Sequence, residues 1–381
     1  MSRVLIVFHS LDRFAGGVET RLSELEINLS KNINREYLLY KDIINLPHIG
    51  KINNIPTLTI PKIILKYKFN IKFLAYIFGF INLFYRVYHT RKFLKNNKFD
   101  TILAIDDYFA LIIILSNLGL NYKIITSTRN SWNKLYDNTM IHLLPDFIYK
   151  IILPKLYNKY VSHVHTVSNC IENELKIIYK INNTITIYNL FDIDKVKLFA
   201  TEKIEYNFKY IINIGHLNHQ KNQKDLIQVY KLLKDNYKIK EKLVFIGDGT
   251  ERENLLKLTQ TLKLENDIIF LGKQTNPYKY LSQASLYVST SLYEGLPGVF
   301  IESIILNIPI VSYNFKCGAS ELAYFTKEKN IDELANLTHK VLVDKDKQTK
   351  ALRFQQNILK NKLDKNKILN QWITILGINN V

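Results

Sequence analysis

A chain of 381 residues, 47% of them hydrophobic, is long enough for two ordinary domains and apolar enough to fill a core in each. The formal net charge is +18, about +11 of it in the first 200 residues and about +7 in the rest, which points to anionic partners. Two cysteines, Cys170 and Cys317, show neither a disulfide framework nor a metal-ligand spacing, and the first apolar run is too short for a signal-peptide core, so a cytoplasmic protein is expected.

In chain order, RVLIVFH (3–9) reads as a buried strand, and a loop leads from it to an amphipathic helix from Thr20 to Lys31. Strands are expected at 37–44 and 57–61, and basic aromatic helices over 62–97. Then come strand 99–106, helix 110–119, strand 123–128, helix 140–160, strand 163–168, helix 172–179 and strand 185–191. This alternation predicts a doubly wound parallel sheet. Residues 192–209 are charged with little periodicity and read as linker. A second series follows: strand 210–215, helix 223–236, strand 242–247, helix 251–263, strand 268–272, helix 278–285, strand 286–290, and a last helical pattern over 331–376. The expected class is α/β, with two Rossmann-like domains facing a cleft: 1–195, a linker 196–208, 209–362, and a helix over 363–381 that packs back on the first domain.

The segment YEGLPGVFIES (293–303) carries the clearest chemistry. Glu294 lies in a Gly- and Pro-containing turn after a strand, and Glu302 lies about two turns into an apolar helix. Ligands of parallel sheets sit at the carboxyl ends of strands, where helix N-termini direct free N–H groups outward. Residues 296–300 thus offer a seat for a phosphate, with one carboxylate on either side for hydroxyls. A nucleotide sugar has that layout. Complementing the helix dipole is the plainer explanation of the two glutamates.

Between Asp42 and Asp100 there is no acidic residue, while lysines and arginines run from Lys51 to Lys98 around the apolar FLAYIFGFINLFY (73–85). Thirteen residues are too few to span a bilayer. Aromatic residues between lysines suit a helix lying on an anionic membrane surface, and residues 62–98 are assigned that role ahead of a core helix with a solvated basic face. No nucleic-acid partner is expected, since no such module is recognisable.

Taken together, FAGGVET (14–20), STRN (127–130), VHTVSN (164–169), TIYNLFDIDKV (186–196), IGHLNHQKNQKDLI (214–227), FIGDGTERENL (245–255), IFLGKQTNPYKYL (269–281) and the glutamate unit resemble, in order and nearly end to end, the retaining GT-B glycosyltransferases of family 4, the glycosyl transferases group 1 of bacterial surface polysaccharide synthesis. The resemblance implies transfer of a hexosyl or N-acetylhexosaminyl group from a nucleotide sugar, UDP-linked, to a lipid-linked or glycan acceptor at the inner face of the cell membrane, in capsule, O-antigen or lipopolysaccharide assembly. It implies no metal; Asp106-Asp107 lack the Asp-x-Asp spacing, and the histidines form no metal spacing. It assigns Lys221 to the diphosphate, Gly17 to the donor phosphate, Glu294 to the donor sugar, Glu302 to the ribose and Gln274 to the loop that reads the base. It expects Pro297, Gly298 and Val299 to offer N–H groups to the diphosphate.

Arg129 stands where some relatives carry a histidine that touches the transferred sugar. It cannot act as a base at neutral pH, so it is expected to stabilise charge on the phosphate or hold an anionic acceptor. Asp248, in a Gly-Asp-Gly turn, is accounted for equally by turn chemistry. His216 replaces the family's usual arginine and so offers one hydrogen bond instead of a bidentate fork. That departure leaves a second possibility, a catalytically degenerate, membrane-associated glycan-binding or scaffold subunit. A glycosidase using Glu294 and Glu302 is disfavoured by the phosphate-type turns around them.

Overall fold

Parallel strands covered on both faces must be apolar along their whole length, and the Val-, Ile- and Leu-rich runs of this chain form two such sheets. The structure is a computed structural model that describes residues 2–10, 17–29, 33–40, 48, 50–55, 71–132, 147–204, 206–315 and 317–378. Two compact units divide the chain, one of residues 1–191 and 365–381, the other of residues 192–364.

The first unit contains β1 (Ser2–Phe8), α1 (Gly17–Asn28), β2 (Ile33–Leu39), β3 (Lys51–Asn54), α2 (Ile71–Asn96), β4 (Thr101–Ile105), α3 (Asp107–Asn117), β5 (Lys123–Thr128), a π-helical turn (Ile148–Ile152) running into α4 (Leu153–Tyr160), β6 (His163–Thr166), α5 (Asn169–Ile177) and β7 (Thr184–Thr186). Its strands lie in the order β3-β2-β1-β4-β5-β6-β7, all parallel. The second unit contains α6 (Ile193–Ala200), β8 (Tyr210–Ile214), α7 (Gln223–Tyr237), β9 (Lys242–Ile246), α8 (Arg252–Thr261), β10 (Ile268–Phe270), α9 (Tyr278–Leu281), β11 (Leu286–Ser289), α10 (Gly298–Ile305), β12 (Ile310–Tyr313), α11 (Ala319–Leu322), β13 (Phe325–Lys327), α12 (Ile331–Val343) and α13 (Lys345–Asn361). Its parallel sheet runs β10-β9-β8-β11-β12-β13. The last helix, α14 (Lys365–Leu376), belongs to the first unit. There the Lys123 ammonium donates to the Ile375 carbonyl at 2.7 Å, and the Trp372 ring lies 4.5 Å from that of His165. Strand order reverses between β1 and β4 in one unit and between β8 and β11 in the other. A sheet of this kind opens its ligand crevice at such a point.

Several elements depart from expectation. The strand expected at 57–61 lies outside the described residues, and the edge strand β3, too short and polar to announce itself, was missed. β2 starts four residues early because Arg35 and Glu36, both buried, break its apolar pattern. Each has a partner: Arg35 donates to the Leu29 carbonyl at 2.8 Å, and Glu36 pairs with Arg3 at 2.7 Å. The segment read as linker begins as α6, capped by Asp192, whose side chain accepts from the Lys195 N–H at 3.0 Å. Asn276 anchors that helix by donating to the Phe199 carbonyl at 2.8 Å.

Candidate functional site

The loop between β8 and α7 is pressed against the turn after β9, backbone on backbone. A Cβ at Gly247, whose φ is +133°, would lie 1.9 Å from the Gly215 carbonyl oxygen, so only glycine fits. Leu217 donates its N–H to Asp248 at 3.1 Å, and Glu251 returns one to Leu217 at 2.9 Å. Asp248 itself is exposed and accepts from the Gly249 N–H at 2.8 Å, which is turn chemistry. Within the β8–α7 loop, the Asn218 side chain accepts from the Lys221 N–H at 3.0 Å, and Gln223 donates to the His216 carbonyl at 3.0 Å. The His216 side chain is exposed.

Across the switch point, the turn after β11 is stitched to that loop. Gln220 makes two of the stitches: its carbonyl accepts from the Leu292 N–H at 2.8 Å, and its side-chain amide donates to the Tyr293 carbonyl at 2.8 Å. The Thr290 hydroxyl donates to the Asn222 carbonyl at 2.9 Å. The result is a direct ion pair between Lys221 and Glu294, whose side chains are 21% and 11% exposed. From the far side Gly318, at φ +91°, closes on the turn; a Cβ there would meet the Gly295 carbonyl oxygen at 3.1 Å.

α10 begins three residues after this turn's Gly295. Pro297 is its N-cap residue and provides no side-chain cap, so the first amides of the helix have no partner from that source. One expectation is corrected here: proline has no N–H, and the donors of this row are Gly298 and Val299. Phe300, Ile301, Ile304 and Ile305 are buried, which leaves Glu302 on the flank, where the Tyr278 hydroxyl donates to it at 3.4 Å. Tyr287 of β11 is buried, its hydroxyl 3.4 Å from the Ile214 carbonyl. Burial first, then Glu294 and Glu302, push its ionisation upward, so both carboxylates act on one phenol. The Gln274 side chain is used inside its own loop, donating to the Leu271 carbonyl at 2.8 Å and accepting from Tyr280 at 3.4 Å.

Lys221, Glu294, Glu302 and the start of α10 therefore gather at one switch point, whereas Gly17 and Arg129 belong to the other unit. Gly17 starts α1, with open space where a Cβ would stand; Gly16 lies outside the described residues. Arg129 follows β5 and donates to the Asn189 side chain at 2.6 Å. Nearby, His165 is buried between the Ser127 hydroxyl and the Ile187 carbonyl, each 2.8 Å away. A carbonyl only accepts, so Nε2 carries the proton and Nδ1 accepts from Ser127. Burial holds this histidine neutral, pushing its pKa down to about 3. Asp106 caps α3, accepting from the Tyr108 N–H at 3.1 Å. Asp107 accepts from Thr128 at 2.6 Å, Tyr157 at 2.8 Å and Trp132 at 2.8 Å. Among the described residues, no group of three or more His, Cys, Asp or Glu is placed to hold a metal ion.

Part of the basic segment, residues 62–70, lies outside the described residues. Along α2, Phe80, Ile81, Phe84 and Tyr88 are exposed, the last two at 66% and 65%, as are Lys92 and Lys95. Arg86 instead turns onto the Tyr40 ring at 5.0 Å, and Arg91 donates to the Ser116 and Leu118 carbonyls. No helix among the described residues is long and apolar enough to cross a membrane.

Gln220, Tyr278, Tyr287 and Gly318 were not anticipated. Tyr287 reads as ordinary strand core, and the contacts of Gln220 and Gly318 join loops distant in sequence.

The family model described as glycosyl transferases group 1 matches residues 194–360. An uncharacterized glycosyltransferase, MJ1059 of Methanocaldococcus jannaschii, is 31% identical over 253 residues, 62% of this chain and 61% of that protein. The N-acetylgalactosamine-N,N'-diacetylbacillosaminyl-diphospho-undecaprenol 4-alpha-N-acetylgalactosaminyltransferase of Campylobacter jejuni is 35% identical over 136 residues, 36% of either chain. The match thus spans about three fifths of the first relative and about a third of the second. Among solved structures, Anabaena Alr3699/HepE in complex with UDP superimposes with a TM-score of 0.73 at 17% identity, covering 99% of this chain and 100% of that one. Through residues 194–360 the chain is similar to the glycosyl transferases group 1, and its fold is GT-B.

Proposed function

We propose that the protein transfers a hexosyl or N-acetylhexosaminyl group from a UDP-sugar to a lipid-linked or glycan acceptor, with retention, in surface polysaccharide synthesis such as capsule, O-antigen or lipopolysaccharide assembly. The observation that carries this reading is the meeting of Lys221, Glu294 and the start of α10 at the β8/β11 switch point. The Campylobacter relative is named for a diphospho-undecaprenol acceptor and the Anabaena structure holds UDP, which supports the choice of acceptor and donor.

In this reading the ammonium of Lys221 and the N–H groups of Gly298 and Val299 neutralise the diphosphate. Glu302 accepts from the two ribose hydroxyls, and the Tyr278 hydroxyl orients it. Glu294 accepts from hydroxyls of the transferred sugar. The bond from the anomeric carbon to the phosphate oxygen breaks, and a bond to the acceptor oxygen forms on the same face. The acceptor's proton passes to the departing phosphate oxygen, and nucleoside diphosphate is released. The exposed row Phe80, Ile81, Phe84 and Tyr88, beside Lys92 and Lys95, rests on an anionic membrane at the cytoplasmic face.

Titration of the purified chain with a panel of nucleotide sugars, read as protection against thermal unfolding, tests the donor. Glu302→Gln is expected to weaken nucleotide affinity about tenfold by removing a charged acceptor from the ribose. Unchanged affinity by calorimetry would refute the assignment. Liposome flotation tests the membrane face: binding to anionic vesicles should fall with salt and with Phe84→Ser/Tyr88→Ser, and flotation indifferent to both would rule that face out.

A further inference from the structure

Two residues assigned to separate parts of the donor, Lys221 to the diphosphate and Glu294 to the sugar, are bonded to each other. We infer that they form an exchangeable charge pair: a bound diphosphate takes Lys221 from Glu294, and the released carboxylate is satisfied only if a sugar follows the phosphate. The inference rests on the donor-site reading above and adds a way of telling substrate from product.

The pair is held ready by its surroundings. Through Gln220, bonded at both its carbonyl and its amide to residues 292 and 293, the backbone behind Lys221 is fixed to the backbone before Glu294. Thr290 adds a third tie, to Asn222. The two loops therefore stay in register, and exchange asks only for rotation of two side chains. Each side chain is partly open, so a ligand in the crevice can reach it. A carboxylate deprived of its cation in such a half-buried place is unfavourable unless hydroxyl or N–H donors replace the cation. A sugar-bearing donor supplies hydroxyls. A bare nucleoside diphosphate, whose ribose hydroxyls are assigned to Glu302, has no sugar beyond the phosphates to supply them at Glu294 and leaves that carboxylate unpaired beside further negative charge. The pair thereby weakens binding of the product and favours its release.

The test is a double-mutant cycle with UDP and one UDP-sugar, read by calorimetry on the full chain. Glu294→Gln is expected to tighten UDP binding about fivefold while narrowing the preference for the UDP-sugar over UDP, since Lys221 no longer has to be taken from an ionised partner. In the Lys221→Met background most of that gain should vanish, because there is no pair left to break. Glu294→Gln binding UDP no tighter than wild type would overturn the inference. So would a full gain persisting in Lys221→Met, which would mean simple repulsion between carboxylate and phosphate. Wild-type protein that binds no UDP at all, under conditions where it is folded by thermal unfolding, would remove the donor-site reading and this inference with it.

Discussion

The two sheets reverse strand order at equivalent places, β1/β4 and β8/β11, and each puts a carboxylate just past the strands that flank the reversal. Past β4, Asp107 is 6% exposed and takes hydrogen bonds from three neutral donors contributed by β5, the turn behind it and α4. Past β11, Glu294 has one charged partner, and both members of the pair are partly open. Burial alone does not separate the two cases; the number and origin of the partners does. Three donors locked into three different elements cannot all be displaced by one ligand, so Asp107 is framework. A single lysine on a flexible stem can be displaced, so the Lys221–Glu294 contact is available for binding.

The sharpest way to break this comparison is to remove each carboxylate's network in turn. Asp107→Ala strands three buried donors and is expected to cost about 3 kcal/mol of stability, measured by urea unfolding. The isosteric Asp107→Asn probes charge. Burial and the adjacent Asp106 push Asp107 up to about 7, against the pull of its three donors. A group whose folded pKa lies above its unfolded value binds more protons when folded, so its contribution is fully present below the unfolded pKa and is lost as pH rises through about 7. The stability difference between wild type and Asp107→Asn should therefore shift in favour of wild type as pH falls from about 7 to about 4. His165, held down to about 3, acts in the opposite sense: its contribution is present above its unfolded pKa and is lost as pH falls. It is common to both proteins, so it drops out of the difference. A difference that does not vary with pH would show that Asp107 is ionised throughout.

Lys221→Met should do the reverse of Asp107→Ala. The pair it breaks is partly solvated, so the expected loss of stability is about 1 kcal/mol or less, whereas affinity for a nucleotide sugar should fall about a hundredfold through loss of the phosphate's cation. Loss of stability like that of Asp107→Ala, with donor affinity retained, would erase the distinction between the two switch points.

The distinction was only partly legible in the sequence, and the reason is physical. Strands such as TILAI (101–105) and KLVFI (242–246) carry their parallel, doubly covered environment in their composition. The glutamate unit was legible because its turn, helix start and two acids are contiguous. β3 and the start of β2 were hidden because tertiary partners, not local pattern, satisfy Arg35 and Glu36. α6 was hidden because of its short, charged sequence only Val196 is buried. The pairing of Lys221 with Glu294 joins residues 73 apart, and the brace by Gln220 uses a residue whose own type announces nothing. Asp107 was legible only as an acid at a strand end; the three donors that make it framework come from positions 128, 132 and 157.

Tyr278 offers the finest test. Its hydroxyl reaches Glu302 at 3.4 Å, a long contact made from α9 to the flank of α10. Glu302 lies on the flank of α10 and is read with Glu294 as a binding carboxylate, so loss of one long hydrogen bond should leave the fold intact. Tyr278→Phe keeps the ring and removes only the hydroxyl. The expected result is an unchanged unfolding midpoint and a rise of about twofold in the donor's KM with kcat preserved, since Glu302 loses orientation without losing charge. A fall in kcat at constant KM would place the hydroxyl in the transfer step itself. A drop in stability would class Glu302 with Asp107 as a framework carboxylate and end its assignment to the ribose.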